Sequence, residues 1–381
     1  IIKVIPRISE ETLLKTPWLR RIGALLLLCA LTCTLLSSCQ KDGVSVMTYK
    51  DSAITANMYS YWLSTSKSTY LHYYNNSVDS DDFWNSKTSD GRTFEEYIVE
   101  QVNKQVKYTL VGMQLFREYG LKIDSATTKD IENDINEKIE YMGSRAEVNS
   151  ALSAFGLNID MLKEVYIAEE KLRAVYDYLY GTNGAEALTD DQIDAYYHDK
   201  YSNIQYIVVY TDQEYAVDAD GNQLYDANGY RQTRDLTEEE KQAKQDKLDQ
   251  IMIDINAGDD FSEVQARYNE VDMSNYPHGF YVSPNELGTY GFTLISAVMD
   301  MQVGEVRRIN DNHAAYIVRK NELPARSSFD TGDKEQMSNL SSYAVQDVYE
   351  AKFSELAKEV VVNEEELSKF SIRTASPNSY F

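Results

Sequence analysis

Apolar residues between Thr93 and Lys200 recur at helical spacing, and polar capping residues separate the successive segments. Thr93 followed by Glu96 is a capping box, which predicts the start of a long helix that ends at Gly120. The apolar face of this helix consists of Phe94, Ile98, Val102, Val106, Leu110, Met113 and Phe116. Four further helices are predicted in the same way: one opened by Thr127 and Asp130, a short one over 147–155, a long one capped by Asn158, and a short one opened by Thr189 and Gln192.

The preceding segment, residues 40–92, is rich in Ser, Asn, Asp and Tyr and has a weaker apolar period. It predicts a short strand over 44–49 and a helix over 54–63. The stretch 75–90 has the composition of a loop.

After Asn203 the period changes from helical to extended. Ile204–Tyr210 is a continuous apolar and aromatic run, which is typical of a buried strand. Strands over 306–309 and 315–319 are predicted to close a sheet with it. The other predicted elements are helices over 237–257, 261–267 and 292–299, a loop over 275–289, a helix from Met337 to Val360 and a polar, partly extended tail over 361–381. Together these elements predict an α+β fold.

Two eight-residue near-repeats follow the first strand, Asp218-Ala219-Asp220-Gly221 and Asp226-Ala227-Asn228-Gly229. Their Asp-Gly and Asn-Gly pairs lie between tyrosine-rich flanks and predict a protruding hairpin, inserted near 211–235. A calcium loop is the alternative, but the EF-hand pattern needs a Glu at its twelfth position, where Gly229 stands. We therefore expect these aspartates to form turns and not to bind calcium.

The amino-terminal segment has the pattern of a secretory signal. Lys15, Arg20 and Arg21 precede an apolar run over 22–36, shorter than the roughly 20 residues that a membrane-spanning helix needs. The run ends in Leu36-Ser37-Ser38-Cys39, which resembles a bacterial lipobox. We expect residues 1–38 to be a lipoprotein signal peptide and Cys39 to carry the lipid; an uncleaved signal anchor is the alternative.

Charge and composition exclude several classes of protein. The chain has 37 Lys and Arg against 61 Asp and Glu, a net charge of -24. The leader carries a net positive charge, so the remainder is more acidic still. Such a polyanion repels phosphate backbones, which excludes non-specific nucleic-acid binding. All three cysteines lie at or before Cys39, so no disulfide is expected in residues 40–381.

Only four histidines are present, which leaves little material for a zinc or Fe–S site, and we expect neither a metal nor a cofactor. His198, His278 and His313 are expected at the surface, and His72 in a packed aromatic face. Tyrosine outnumbers phenylalanine by 30 to 11. This excess fits either broad contact surfaces for polypeptide binding or substitution for phenylalanine on half-buried faces.

Several short sequence segments resemble segments of known protein families. The order of elements after residue 200 resembles that of a parvulin domain. The phrases that match it are Ile204–Val209, Ala257–Val264, Gln302–Val306 and Ala315–Val318. Those that resemble the helical region of SurA-type chaperones are Tyr119–Asp124, Phe155–Leu157, Leu188–Ile193 and Tyr196-Tyr197. The chain thus resembles PrsA/SurA-type lipoprotein foldases from about residue 44 to 360.

The resemblance implies a domain organisation. It implies a helical chaperone region over 39–200, a parvulin-like domain over 201–323 with a small antiparallel sheet flanked by helices, and a carboxy-terminal helix and tail over 324–381 that pack on the amino-terminal region.

It also implies a site. The two histidine positions of parvulins fall on Tyr206 and Tyr316, and the Cys/Asp position falls at Val271 or Asp272. Leu294, Met299 and Phe280 are the expected substrate-binding residues of an apolar cup. Two tyrosines cannot act as a neutral imidazole pair, so we expect a weak or inactive isomerase.

The function expected from this resemblance is a chaperone or foldase on the extracytoplasmic face of a bacterial membrane, held there by a lipid anchor. Its expected partners are unfolded or nascent secreted polypeptides, with a second copy of the chain in a homodimer as a further alternative. The alternatives are an active peptidyl-prolyl cis-trans isomerase and a solute-binding or adhesive lipoprotein.

Overall fold

The computed structural model describes residues 43–74, 79–88, 90–273, 276, 279–286 and 291–381. The signal segment, Cys39 and His278 lie outside the described residues. The described residues fold into two compact units, one formed by those up to Ala185 together with Glu350–Phe381, the other by those within Glu186–Tyr349. The predicted α+β fold, mainly helical with a small antiparallel sheet in the inserted unit, is confirmed.

The first unit begins with a small antiparallel sheet. Strands β1 (Ser45–Tyr49) and β2 (Ser52–Thr55) form a hairpin, and α1 (Ala56–Tyr73) follows directly. The strand predicted over 44–49 is thus present, and the helix predicted over 54–63 is longer than expected. Helix α2 (Asp81–Asn85) lies inside the stretch predicted to be loop, because the Ser80 side chain accepts from the backbone N–H of Phe83 and caps it.

The helices that follow in this unit are three long ones, α3 (Phe94–Glu118), α4 (Ser125–Met142) and α6 (Ile159–Tyr180), and the short α5 (Arg145–Leu152). The capping box of Thr93 and Glu96 is present as predicted. The predicted start of α4 at Thr127 is wrong, because Asp124 is the N-cap and its carboxylate accepts from the Thr127 N–H at 2.7 Å.

Close contact between α3 and α6 depends on Gly112. A Cβ at this position would lie 2.6 Å from Leu172 Cδ1 and 2.9 Å from Leu172 Cα. The absence of a side chain therefore sets how closely the two helices approach.

Later segments return to the first unit. Strand β9 (Val361–Val362) pairs with β1, and the last helix, Glu364–Leu367, follows it. The final segment packs on α1, because the buried Lys67 Nζ donates to the carbonyl oxygens of Arg373 and Ala375 at 2.9 Å each. The predicted polar tail therefore holds a strand, a helix and specific contacts.

The second unit is built around a four-stranded antiparallel sheet in the order β6-β3-β8-β7. Its central strands are β3 (Ser202–Tyr210) and β8 (Ala314–Asn321), flanked by β6 (Phe280–Val282) and β7 (Val306–Asn310). The three strands expected from the sequence are all present. Strand β6 lies within the loop predicted over 275–289, which corrects that prediction.

Helices cover both faces of this sheet. On one face lie α8 (Glu238–Ala257) and α9 (Phe261–Tyr268), which pack through Leu248, Ile251, Phe261 and Val264. On the other lies α10 (Phe292–Met299). The unit also contains α7 (Asp190–Lys200) and α11 (Thr331–Gln336), and α12 (Leu340–Ala357) continues past its boundary.

A hairpin of β4 (Gln213–Tyr215) and β5 (Thr233–Asp235) carries the two near-repeats at its end. The Asp218 carboxylate accepts from two backbone N–H groups at 2.9 Å, and Asp226 does the same at 2.8 and 2.9 Å. Residues spaced by eight close a ring of backbone hydrogen bonds, from Ala216 to Gln232, from Gln232 to Leu224 and from Leu224 to Ala216. The aspartates are thus used in turn formation, as the sequence predicts.

Many of the tyrosines are core residues. In the second unit Tyr197, Tyr201 and Tyr281 are buried together, and the Tyr281 hydroxyl donates to the buried Asp333 at 3.0 Å. Within the described part of the chain, no helix has both the length and the apolar character needed to cross a bilayer.

Candidate functional site

Tyr206 and Tyr316 lie next to each other on one face of the sheet. In the antiparallel register Tyr206 faces Val318 and Val208 faces Tyr316, so the two rings are diagonal neighbours. Their centroids are 6.0 Å apart and the ring planes meet at 69°. The structure therefore brings together the two residues that the resemblance places at the histidine positions.

A row of aromatic rings continues from this pair. Phe280 on β6 lies 6.4 Å from Tyr206, and Tyr276 lies 4.8 Å from Phe280, both in edge-to-face geometry. Sequence reasoning missed Tyr276, which stands in a segment predicted to be loop. Its spacing of four residues from Phe280, with Gly279 between them, is the signal that could have found it.

Helix α10 supplies the apolar floor beside these rings. Leu294 and Phe280 are buried in one core cluster with Ile295 and Val298, and the half-buried Met299 packs against that cluster. The three residues expected to form an apolar cup thus lie together, next to Tyr206 and Tyr316.

Asp272 lies in the segment after α9 and is exposed. Its neighbour Met273 packs against the apolar cluster. The side chain that reaches the core from this segment is therefore the methionine, which the sequence did not suggest.

The two phenols are neutral near pH 7. Burial raises the pKa of Tyr206, and the neighbouring Tyr316 and Tyr276 raise it further. Burial also raises the pKa of Tyr316, with a smaller contribution from Asp311. A neutral phenol can donate a hydrogen bond to a carbonyl oxygen but is a poor proton acceptor, so the pair offers donors and apolar surface.

Beyond its pairing with β6, the outer edge of β3 is hydrogen-bonded by side chains and by the backbone N–H of Glu270, which donates to the Val208 carbonyl at 3.2 Å. Strand β6 pairs only with Ser202–Ile204. Further along, Gln265 donates to the Tyr206 carbonyl at 2.7 Å, and Asn269 accepts from the Val208 N–H at 2.8 Å. Gln265 of α9 and Asn269 directly after it thus fix the strand that carries Tyr206, and sequence reasoning missed this role.

Glu270 extends this edge. It accepts from the Tyr210 N–H at 2.9 Å and from Lys244 and Lys247 at 2.8 Å each. Burial disfavours its charge, yet these hydrogen bonds outweigh burial and lower the pKa of Glu270. The carboxylate is therefore charged and structural.

The three histidines within the described residues do not belong to the cluster around this site. His198 and His313 are exposed and face Asp194 at 3.5 Å and Asp212 at 3.2 Å. His72 is exposed in the last turn of α1, so the prediction of a packed aromatic environment for it is wrong. Among the described residues, no group of three or more His, Cys, Asp or Glu side chains could hold a metal ion.

No model of a protein family matches the chain, and no curated protein matches it either. Among solved structures it is similar to PrsA from Bacillus subtilis at 16% identity, covering 76% of this chain and 93% of that one, with a TM-score of 0.23. It is also similar to the peptidylprolyl isomerase PrsA from Bacillus cereus, at 17% identity with the same coverage and a TM-score of 0.29. The foldase protein PrsA from Streptococcus pneumoniae is 20% identical, covering 72% of this chain and 90% of that one, with a TM-score of 0.24.

Proposed function

We propose that this protein is a membrane-anchored extracytoplasmic chaperone that binds unfolded secreted polypeptides, and that its parvulin-like domain binds them with little or no isomerase activity. The observation that carries the proposal is the pair of neutral tyrosines, 6.0 Å apart, on an aromatic and apolar surface. Such a surface suits apolar side chains and proline rings.

The chemistry of prolyl isomerisation supports the second half of the proposal. The barrier is rotation about a partial double bond, so a catalyst must bind the twisted amide better than the planar one. The resemblance implies a paired-histidine network for this task, and here both positions are phenols whose pKa is raised by burial.

Exposed tyrosines on the helical unit support the first half. Tyrosine supplies wide amphipathic contact area at low side-chain entropy cost, which suits binding of many sequences. The exposed tyrosines of this unit are Tyr73, Tyr74, Tyr119, Tyr141, Tyr178 and Tyr380. The surrounding acidic surface favours basic or neutral clients over acidic ones.

Suppression of aggregation tests the chaperone activity. Denatured, reduced lysozyme serves as a basic client, and light scattering is followed with the unmodified chain and with a chain in which a short Gly/Ser linker replaces 202–323. Asn203 and Asn321 are paired across the sheet, so a linker of a few residues can join the flanking segments. We expect the deletion to retain suppression; loss of all suppression in a folded deletion variant would contradict the proposal.

A proline-peptide isomerisation assay tests the site. We expect a rate at background for the unmodified chain and no change in Tyr206→Ala or Tyr316→Ala. Tyr210→Ala is the matched control, because Tyr210 lies on the same strand and face. A rate above background that falls in the first two variants, and not in the control, would favour the active isomerase instead.

The anchor is tested separately. In a bacterial host, we expect the unmodified chain in the membrane fraction and Cys39→Ser in the soluble extracytoplasmic fraction. Equal membrane association of both would remove the lipid anchor from the proposal and favour an uncleaved signal anchor.

A further inference from the structure

Segment 368–381 lies against α1 in the first unit and contains neither helix nor strand. Within it only Ile372 and Asn378 are buried, so a few anchors hold it in place. The surface beneath it, called the α1 groove here, consists of Tyr59, Ser64, Lys67, Asp81, Asn85 and Glu95. We propose that the α1 groove binds an unfolded polypeptide in which a basic residue follows an apolar one, and that this polypeptide displaces segment 368–381.

The α1 groove contacts the backbone of the segment. Ser64 and Lys67 are three residues apart and therefore lie on one face of α1. The Lys67 ammonium donates to the carbonyl oxygens of Arg373 and Ala375 at 2.9 Å each, and the Ser64 carbonyl accepts from the Asn378 N–H at 3.0 Å. Every polypeptide has these backbone groups, so the contacts suit clients of many sequences.

Lys67 favours an occupant that carries carbonyl groups. Its side chain is 1% exposed, and it forms an ion pair with Asp79. An ammonium group has three N–H donors, and two of them are used by the segment. When the segment leaves, these donors become available to the carbonyl oxygens of another chain. A purely apolar partner would leave a buried charge without them, which is unfavourable.

Charge complementarity specifies one side chain of the occupant. The Arg373 guanidinium donates to Glu95 at 2.7 Å, to Asp81 at 2.6 Å and to Asn85 at 2.7 Å. Arg373 forms the ion pairs of both carboxylates, so both lose their counter-charge when the segment departs. A Lys or Arg of the client restores that charge, whereas an Asp or Glu at the same place is repelled.

An apolar anchor precedes the basic residue. Ile372 is fully buried directly before Arg373. Phe370 adds an edge-to-face contact with Tyr59, with 5.1 Å between the ring centroids. The segment thus shows the preferred order of side chains, an apolar residue followed at once by a basic one.

The segment competes with clients because it belongs to the same chain. A tethered segment acts at a high effective concentration, roughly millimolar for a short flexible link. Client affinity is therefore reduced to the extent that the segment fills the groove. A substitution that weakens docking of the segment should tighten client binding by a similar factor.

This inference rests on the proposed function, because it assigns a place where the first unit binds an unfolded polypeptide and a segment that controls access to it. The tyrosine pair of the sheet has no part in it.

A reversible disulfide tests whether the segment must leave. The Asn378 side-chain amide donates to the Thr65 hydroxyl at 3.0 Å, so Thr65→Cys combined with Asn378→Cys places two thiols side by side. Cys29, Cys33 and Cys39 are changed to serine, so that only the new pair can form a bond. Diamide closes the disulfide and holds the segment in the groove, and dithiothreitol releases it.

The probe is a dye-labelled, acetylated and amidated copy of 368–381, and binding is followed by fluorescence anisotropy. We expect the reduced form to bind it roughly tenfold or more tightly than the oxidised form. In the otherwise unmodified chain, Arg373→Ala should tighten binding roughly threefold to tenfold, the range for loss of a partly exposed charged contact. Arg145→Ala is the matched control, because it removes an exposed ion pair with Asp160 in the same unit and should leave binding unchanged.

Altered peptides and a client test the occupant. Glutamate in place of the arginine of the peptide should weaken binding, and more so at low salt than at high salt. Serine in place of the isoleucine should weaken it at both. Reduced, carbamidomethylated lysozyme should displace the peptide from the reduced form. Equal binding of the peptide by the oxidised and reduced forms, or no displacement by lysozyme, would overturn the inference.

Hydrogen exchange of the unmodified chain gives a test without any substitution. If the segment leaves the groove, the Asn378 N–H should exchange through local opening, faster than amides in the middle of α3. Exchange of this amide only at the rate of global unfolding would show that the segment stays bound, and the inference would be wrong.

Aggregation suppression separates this inference from the proposed function. If the unmodified chain protects lysozyme but the oxidised and reduced forms bind the peptide equally, only the groove assignment fails. If the chain neither protects lysozyme nor binds the peptide in its reduced form, both fail.

Discussion

Gly279 is the residue on which the placement of Phe280 beside Tyr206 depends most directly. It has a φ of +93°, and a Cβ built on it would lie 2.4 Å from Asn203 Oδ1 and 2.9 Å from the Ile204 carbonyl oxygen. The Asn203 side chain is buried and accepts from Asn321 at 2.8 Å. Gly279→Ala therefore strains the backbone and also disturbs a buried hydrogen bond between the two central strands.

The magnitude follows from these two effects. A non-glycine residue in the left-handed region costs about 1–2 kcal/mol. Displacing Asn203 and leaving a buried amide unsatisfied costs about 1–3 kcal/mol. The carbonyl of Ile204 belongs to the β3–β6 pairing and cannot move freely, so we expect a total loss of about 2–5 kcal/mol in the opening free energy of the sheet.

Hydrogen exchange measures this loss locally. Amides of β3 and β8 should exchange roughly 30-fold to several thousandfold faster in Gly279→Ala, because each 1.4 kcal/mol is a factor of ten. Gly304→Ala is the matched control: its φ is +82° and nothing lies within 4 Å of a Cβ there, so it carries the backbone strain without the clash.

The difference between the two variants isolates the clash. If Gly279→Ala and Gly304→Ala accelerate exchange of β3 and β8 equally, the contact with Asn203 is not what fixes this corner of the sheet. If Gly279→Ala has no effect at all, the reasoning about the positive φ fails as well.

Three further predictions concern other parts of the chain. Gly112→Ala should lower the thermal midpoint followed by tryptophan fluorescence. Overpacking costs about 1–3 kcal/mol, and the backbone contact with Leu172 Cα at 2.9 Å puts it toward the upper end, above the roughly 1 kcal/mol gained in helix propensity. An unchanged or higher midpoint would contradict this. Burial raises the pKa of Glu169, which accepts from Trp62 at 2.7 Å, so wild-type stability is lost as pH rises through the folded-state pKa. Glu169→Gln should therefore raise the midpoint at pH 8 and reduce the loss of stability as pH rises above the ordinary glutamate pKa. Parallel curves of midpoint against pH for the two proteins would refute this. Asp226→Ala removes the carboxylate that accepts from two backbone N–H groups, so proteolysis within 216–232 should become faster while protection of lysozyme stays unchanged. Equal cleavage rates of the variant and the unmodified chain would contradict the assignment of Asp226 to the turn.

Local chemistry accounts for the elements that the sequence predicted well. The capping boxes that start α3, α7 and α8 each need only a Thr and a Glu or Gln three residues later, and all three are present. The start of α4 was misplaced because Asp124 and Thr127 are both competent caps, and sequence alone gives no preference between them.

The elements that sequence reasoning missed are short. Helix α2 and strand β6 have five and three residues, too few for a periodic pattern to be recognised. Each is stabilised by what it packs against: Trp84 of α2 by the ring of Phe94, and β6 by pairing with β3.

The candidate site also has one part that the sequence located and another part that it missed. The resemblance placed Tyr206 and Tyr316 at the two histidine positions of parvulins, and the register between β3 and β8 puts both rings on one face. Tyr276 and Met273 complete the surface from a segment without a periodic pattern, and the Asn269 contact that fixes β3 joins residues 61 apart in sequence.

The sequence by itself determined the α+β fold, most helix starts and three of the four strands of the central sheet. These features depend on periodicity and on side chains a few residues apart. The tertiary structure alone decided the aromatic row of the sheet and the hydrogen bonds of Gln265, Asn269 and Glu270 to the edge of β3. The physical reason is that these features arise from packing and hydrogen bonds between segments distant in sequence, whose positions no local pattern specifies.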